Sequence, residues 1–521
     1  MAPHANAPDR GNSSFANGYI HDRIDSANGL TIDANNTPQY QSHLQPTELS
    51  EIHDLICVGF GPASLAIAVA LHDGLDGENG DSNMPAMGVL GPKVAFLERQ
   101  PRFAWHAGML LEGAKMQISF VKDMATLRNP RSPFTFLNYL HVKNRLIQFT
   151  NLDTFLPQRI EFEDYLQWCA GWFDDVVHYS QEVLEIKPDT NNRGHHAIDS
   201  FSVISRNTTT GEVTTRCTRH VVIAAGGKPA IPQPFPSSHP RILHSSQYAY
   251  TSPQILTDKE AHYRVAVVGG GQSAAEIFSN LHTQYPNCQT RLIIRGASLK
   301  PSDDSPFVNE IFDPCRVDPF YSQPPSARAL INSEHRTTNY GVVRLELLEH
   351  IYQTLYMQRV HHPHEEDWQH RIENNSTIVG VNADSSETIQ LQVARRVESC
   401  YGEKEVATET QEYDVVIIAT GYTRNSHEDI LAPARYLMPG GDDPEKKWTV
   451  SRDYKVHFQE GLVSEDAGVF LQGCNEESHG LADSLLSILA IRGGEIVQSV
   501  FGGEKNTSHW NSKLGLNAGG L

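Results

Sequence analysis

The sequence predicts an α/β fold built from two separate parallel-sheet units, and two observations carry that prediction. The apolar run Leu55-Ile56-Cys57-Val58 leads into the glycine-rich turn Gly59-Phe60-Gly61-Pro62-Ala63-Ser64. About 200 residues later Val265-Ala266-Val267-Val268 leads into Gly269-Gly270-Gly271-Gln272-Ser273-Ala274. A short buried strand, a glycine turn and a helix form the Rossmann-like pattern that seats the pyrophosphate of a dinucleotide on a helix N-terminus. One such turn is often only a turn. Two in one chain imply two bound dinucleotides, whose usual partnership is hydride transfer from a nicotinamide to a flavin.

The elements follow in order. Residues 1–50 are rich in Asn, Asp, Ser, Pro and His and predict a disordered tail. His53 to Val58 is the first strand and Pro62 to Asp73 its helix, followed by a loop insertion from Asp73 to Pro92. Val94 to Leu97 is the second strand, ending at Glu98, and Val221 to Ala225 closes the first part. Pro- and Ser-rich sequence from Lys228 to His244 reads as a crossing. The second unit has a strand at Val265–Val268, a helix at Gln272–Tyr285 and a strand at Arg291–Ile294. Polar stretches at 374–387 and 398–412 read as turns or surface loops. Asp414 to Ala419 is another buried strand. From Gly480 to Phe501 helical spacing resumes, with an interruption expected at Gly493-Gly494. The expected layout is one discontinuous domain, 51–235 with 414–505, enclosing a second at 236–413, before a flexible tail at 506–521.

Composition narrows the partners. With 62 Asp and Glu against 42 Lys and Arg, the formal charge is −20, which disfavours nucleic acid and anionic membranes. The seven cysteines are scattered without a C-x-x-C pair, so neither a disulfide framework nor a zinc site is expected. No apolar stretch approaches the ~20 residues that span a bilayer. The expected compartment is the cytosol, with peroxisomal association left open.

Within the turns, Gly59 permits the sharp bend, Gly61 lets the pyrophosphate approach, and small Ser64 allows helix and strand to pack. Glu98, at the end of the second strand, is placed to bond a ribose hydroxyl. The corresponding position of the second unit is basic, Arg295. A guanidinium suits a 2′-phosphate, which points to NADPH rather than NADH.

Further motifs are Asp414-x-x-x-Ile418-Ala419-Thr420-Gly421-Tyr422 with His427, Phe103-Ala104-Trp105-His106, and the stretches Met116–Asp123, Asp304–Phe312, Thr338–Tyr340 and His479–Ser487. On these the chain resembles the flavin-dependent N-hydroxylating monooxygenases, and within them the fungal L-ornithine N(5)-monooxygenases of hydroxamate siderophore biosynthesis. The resemblance runs from about His53 to Phe501. It implies FAD and NADPH as cofactors, L-ornithine and O2 as substrates, and a homotetramer.

Residue by residue, the resemblance implies FAD contacts at Glu98, Arg99, Phe103, Trp105, His106, Gln117, Val183, Ser484, Leu485 and Leu486, beside Gly59, Gly61 and Ser64. NADPH would lie on Gly269, Gly270, Gly271, Gln272, Ser273, Arg295, Asn339, Tyr340 and Gly341. The ornithine site would include Lys122, Asn309, Glu310, Ile311, Phe312 and Ser487, in a small helical segment at about 305–350. No side chain is expected to carry the chemistry; Gln117, Asn339 and Ser273 would support it, and no metal is expected. Reduced flavin and oxygen would give a C(4a)-hydroperoxide that the substrate amine attacks. Asp483 or Ser484 could cap the last helix and aim its positive end at the flavin. A lysine N(6)-hydroxylase and a non-catalytic NADPH-sensing flavoprotein remain as alternatives.

Overall fold

The computed structural model describes residues 41–76, 91–189, 197–383, 388–398, 404–443 and 445–502. Residues 77–90 of the loop insertion expected at 73–92, residues 1–40 of the tail expected at 1–50, and the whole tail expected at 506–521 lie outside the described residues.

Six strands come first: β1 (His53–Val58), β2 (Val94–Leu97), β3 (Val177–His178), β4 (Gln181–Pro188), β5 (Phe201–Asn207) and β6 (Val213–Ile223). A two-residue strand β7 (Lys228–Pro229) marks the crossing. Then come β8 (Ile242–His244), β9 (Arg264–Val268), β10 (Gln289–Ile293), β11 (His370–Glu373), β12 (Ser376–Asn382), β13 (Ile389–Glu398), β14 (Lys404–Tyr413) and β15 (Val415–Ile418). The return crossing is β16 (Tyr422–Thr423), and β17 (Gly468–Leu471) is last.

The first sheet has the order β3-β2-β1-β6-β5-β4. Long β6 serves two partnerships. Its first half pairs antiparallel with β5, and its second half lies parallel to β1 on one side and β17 on the other. The strands β1, β2 and β17 are buried throughout or nearly so, as parallel strands covered on both faces must be. One face is covered by the helices Pro62–Leu75 and Leu489–Phe501, the other by the segment Ile430–Met438.

The second sheet, β11-β10-β9-β15-β8, is parallel throughout. The helices Gln272–Gln284 and Leu345–His361 pack on one face. A three-stranded antiparallel sheet, β12-β13-β14, packs on the other through Ile378, Ile389, Leu391 and Val393. The two crossings pair with each other as an antiparallel ribbon, β7 with β16.

Four expectations change. The polar stretches at 374–387 and 398–412 supply β12 and β14 rather than loops only, because an antiparallel sheet with one face in water needs apolar residues only at alternate positions. β15 belongs to the second sheet, so the boundary expected at 414 falls inside that sheet, and the chain returns at β16 instead. Residues 41–50 are not all tail, since Ser42 and Leu44 are buried and the Ser42 N–H donates to the Trp172 carbonyl at 2.9 Å. The helix Leu489–Phe501 runs through Gly493 and Gly494 without a break. A Cβ at Gly493 would sit 2.7 Å from the Ala66 carbonyl oxygen, so this glycine lets two helices approach closely rather than ending one.

Candidate dinucleotide and substrate site

Both glycine turns are built by the same device. Gly59 has φ +87°, and a Cβ there would lie 2.7 Å from the Ala224 carbonyl oxygen just past β6. Gly269 has φ +143°, and its Cβ would lie 2.3 Å from the Ala419 carbonyl oxygen just past β15. In each unit the turn is pressed onto the neighbouring parallel strand, which leaves no room for any other residue. Gly61 and Gly271 are the N-caps of the following helices, and neither helix has a side-chain cap. The space at Gly61 is open: a Cβ would meet nothing within 4 Å. The uncapped N–H groups and the helix dipole favour an anion there. Ser64 is fully buried in the first turn of its helix.

Glu98 braces the first turn. Its Oε2 accepts from the Phe60 N–H at 2.7 Å and its Oε1 from the Gln100 N–H at 2.9 Å. A carboxylate has about four acceptor positions, so both oxygens retain capacity for the ribose bond expected of it. Phe103 is buried edge-on against Phe60. Arg99 is exposed, and Val183 on β4 packs against the cluster that holds Val58 and Leu97.

His106 stands in the left-handed region at φ +49°. It is open to water yet flanked by Trp105 and Tyr422, with ring centroids 5.0 and 5.8 Å away. The surrounding protein first, then the charges of Arg159 and Arg424, push its pKa down. The Trp105 N–H donates to Glu163 at 3.1 Å. Burial pushes the Glu163 carboxyl up to about 7.

At the second turn, Gly271 approaches Gly341, whose Cα would be 3.6 Å from an added Cβ. Gln272 accepts from the Arg344 N–H at 2.9 Å and donates to Glu276 at 2.9 Å. Ser273 and Asn339 are half-buried, and Arg295, just past β10, is exposed. One residue expected at NADPH, Tyr340, meets one expected at FAD, Ser484. The Tyr340 hydroxyl bonds the Glu476 carboxylate and lies 3.4 Å from Ser484 Oγ. Desolvation and then Glu476 raise its pKa to about 12. Arg424 donates to the Ser484 carbonyl at 3.4 Å. Arg344 also reaches the Met116 carbonyl at 3.4 Å, which brings exposed Gln117 toward this turn.

The expected substrate residues are brought only partly together. Lys122 Nζ lies 3.4 Å from Asp313, directly after Phe312. Asn309 is exposed and bonds the Asp304 carbonyl at 3.0 Å, while Glu310 pairs with Arg316 at 2.5 Å. Ile311 is half-buried and Phe312 buried. Ser487 is buried, and its hydroxyl has no partner among the described residues. Leu485 and Leu486 are half-buried, with Leu486 against the first core cluster.

The expected helix cap is not formed. The last helix follows Ile488 with no side-chain cap. Asp483 instead accepts from Arg492 at 2.8 Å and from the Asn475 N–H at 2.7 Å, all of it buried. A buried carboxylate must find a cation and hydrogen bonds, and Arg492, two turns down the chain, supplies the cation.

Residues 51–424 match the family model described as L-lysine 6-monooxygenase/L-ornithine 5-monooxygenase. The chain belongs to that family. An L-ornithine N(5)-monooxygenase of Cochliobolus heterostrophus is 54% identical over 495 residues, covering 93% of this chain and 92% of that protein. One of Emericella nidulans is 52% identical over 468 residues, covering 89% and 92%. Among solved structures, ornithine hydroxylase PvdA from Pseudomonas aeruginosa is 38% identical with a TM-score of 0.73, covering 87% of this chain and 99% of that one. The ornithine N-hydroxylase KtzI of Kutzneria sp. 744, solved with reduced FAD, NADP+ and L-ornithine, is 34% identical with the same TM-score, covering 86% and 99%.

In this family member, the residues that sequence reasoning missed act across long separations. Glu476 gathers Arg336, Tyr340 and, through its carbonyl, Asn332, all about 140 positions away. No local pattern announces such a hub. Arg424 had a signal, since it lies two residues past the Ala419-Thr420-Gly421-Tyr422 stretch.

Proposed function

We propose that this protein hydroxylates the side-chain amine of L-ornithine, giving N(5)-hydroxy-L-ornithine for hydroxamate siderophores. One O2 and one NADPH are consumed; one oxygen atom enters the amine and the other leaves as water. The observation that carries this reading is the pair of glycine turns, each pressed on a neighbouring parallel strand of its own sheet, in a chain whose relatives are ornithine hydroxylases. FAD fits the turn at Gly59 and NADPH the turn at Gly269, since both helix ends offer uncapped N–H groups to a pyrophosphate. Bound FAD, reduced by NADPH, supplies the activated oxygen.

The protein's own residues bind, orient and exclude water. Glu98 takes a ribose hydroxyl of FAD, and Phe103, Trp105, His106 and Gln117 line it. Arg295 takes the 2′-phosphate of NADPH, with Ser273 and Asn339–Gly341 alongside. Lys122 receives the substrate carboxylate, and Asn309, which can donate and accept, its α-amino end. The reacting amine has an ordinary pKa near ~10.4 and must be neutral to act; desolvation in the pocket favours that form. We assign 51–235 and the chain beyond β16 to the FAD domain and the second sheet to the NADPH domain, in a cytosolic homotetramer. Among the described residues no helix is long and apolar enough to cross a membrane.

The test is aerobic turnover with FAD and NADPH, offering L-ornithine and L-lysine separately and assaying hydroxylamine. Product from ornithine, with little from lysine, is expected. Product mainly from lysine would shift the assignment to the other branch of the family. NADPH oxidation giving only hydrogen peroxide with both would overturn the substrate. No oxidation by folded, FAD-loaded protein would favour the sensing flavoprotein.

A further inference from the structure

Gln472 stands at the end of β17, where the first sheet meets its glycine turn. Its N–H donates to the Ile223 carbonyl at 3.0 Å, which extends the β6–β17 ladder by one step. The next residue along β6 is Ala224, on whose carbonyl Gly59 rests. The side chain of Gln472 is buried, with only 4% of the residue exposed. Neither Oε1 nor Nε2 has a hydrogen-bond partner among the described residues.

That is an expensive arrangement. A buried polar group left unsatisfied is destabilising, and the large majority of such groups are paired. Gln472 leaves both ends of one amide open. Val469 and Leu471 join one core cluster and Phe470 the other. Side chains alternate along a strand, so Gln472 shares the face of Phe470. That face also holds Leu65 and Ala66, from the helix after the first glycine turn, and Leu486. Gly473 follows with φ +76° and turns the chain away. The amide therefore stands at the carboxyl end of a parallel sheet, the edge where nucleotides bind in such folds.

We propose that Gln472 is a direct hydrogen-bonding contact of the bound flavin dinucleotide. Nε2 donates and Oε1 accepts, which suits a group of FAD that does both, such as a ribityl hydroxyl. This inference rests on the flavin reading above.

The experiment measures apoprotein melting temperature and FAD affinity, by quenching of flavin fluorescence, for wild type, Gln472→Met and Gln472→Glu. Methionine keeps the volume and removes both polar ends. The Gln472→Met apoprotein should melt no lower than wild-type apoprotein, because it loses no bond. Its FAD affinity should fall about tenfold, the worth of one or two hydrogen bonds, and the rise in melting temperature on adding FAD should shrink. Gln472→Glu should bind FAD more weakly still, since a carboxylate cannot donate and repels phosphate, while NADP+ affinity stays unchanged in both. Unchanged FAD affinity in Gln472→Met overturns the proposal, whatever happens to apoprotein stability. If Gln472→Met does not fold, Gln472→Ala is measured against the same criteria. A wild-type protein that binds no FAD would instead overturn the flavin reading, and that arm is read first.

Discussion

Arg159 grips Glu276 with both arms of its guanidinium: Nη1 and Nη2 each donate to a carboxylate oxygen at 2.9 Å. Arg159 begins the helix Arg159–Ala170, in the part of the chain that carries the first glycine turn. Glu276 lies one turn into the helix after the second. Nη1 also donates to the Met109 carbonyl at 2.8 Å, and Glu276 accepts from Gln272. The pair thus ties the start of the second helix to the first unit, and both side chains are largely shielded from water. Glu276→Ala leaves a shielded guanidinium unpaired and should cost about 3 kcal/mol of stability. Arg159→Met with Glu276→Leu should recover most of it. Urea unfolding of the two variants checks this, and equal losses would contradict the account.

Gly493→Val tests the close approach of the last helix to the helix Pro62–Leu75. With the Ala66 carbonyl 2.7 Å from the added Cβ, the helices must separate, at a cost of about 1–3 kcal/mol. Thermal unfolding should show a clear drop in melting temperature. A variant that melts with wild type would mean the helices yield freely.

Stability should fall as the solution is acidified from near neutrality. Burial, the largest cause in each case, holds His72, His178, His220, His370 and His479 down to about 4. An unfolded histidine titrates near ~6.5. Between those two values the unfolded chain binds protons that the folded chain refuses, so unfolding gains. Among the described residues burial also raises four carboxyls, Asp123, Glu161, Glu163 and Asp174, which act in the opposite sense, but they are fewer than the imidazoles it lowers, which also include His53, His106, His244, His282, His335 and His427. The urea midpoint should drop between pH 7 and pH 5, and a flat or rising midpoint would refute this.

Arg295 is exposed at the strand end where a 2′-phosphate is proposed to lie. Arg295→Ala should lower kcat/KM for NADPH about 10- to 100-fold, the worth of a charge-assisted bond, and leave NADH nearly unchanged. Equal loss with both nucleotides would place the 2′-phosphate elsewhere.

Lys122 shares its charge with Asp313 across 3.4 Å, with both side chains partly open to water. Such a pair contributes little to stability. Lys122→Met should therefore melt close to wild type yet raise the KM for L-ornithine at least tenfold, with NADPH affinity unchanged. A large loss of stability without a change in KM would make Lys122 structural.

The sequence by itself determined the parts that are local. A run such as Val265–Val268 must be buried, and a following glycine must turn, because backbone conformation and side-chain size act over a few residues. That made both turns, their helices and the positions of Glu98 and Arg295 just past their strands legible, and the family resemblance added the segments around Lys122, Asn309 and Ser487 as expectations. Tertiary structure decided what depends on partners far along the chain. Val415–Ile418 reads as a buried strand in either sheet, and only pairing with β9 and β8 assigns it to the second. Gly493 reads as a helix breaker until the Ala66 carbonyl is beside it. Asp483 reads as a cap until Arg492 neutralises it. Glu476 and Gln472 carry no local signature, since one is defined by partners about 140 residues distant and the other by a buried side-chain amide without a partner among the described residues.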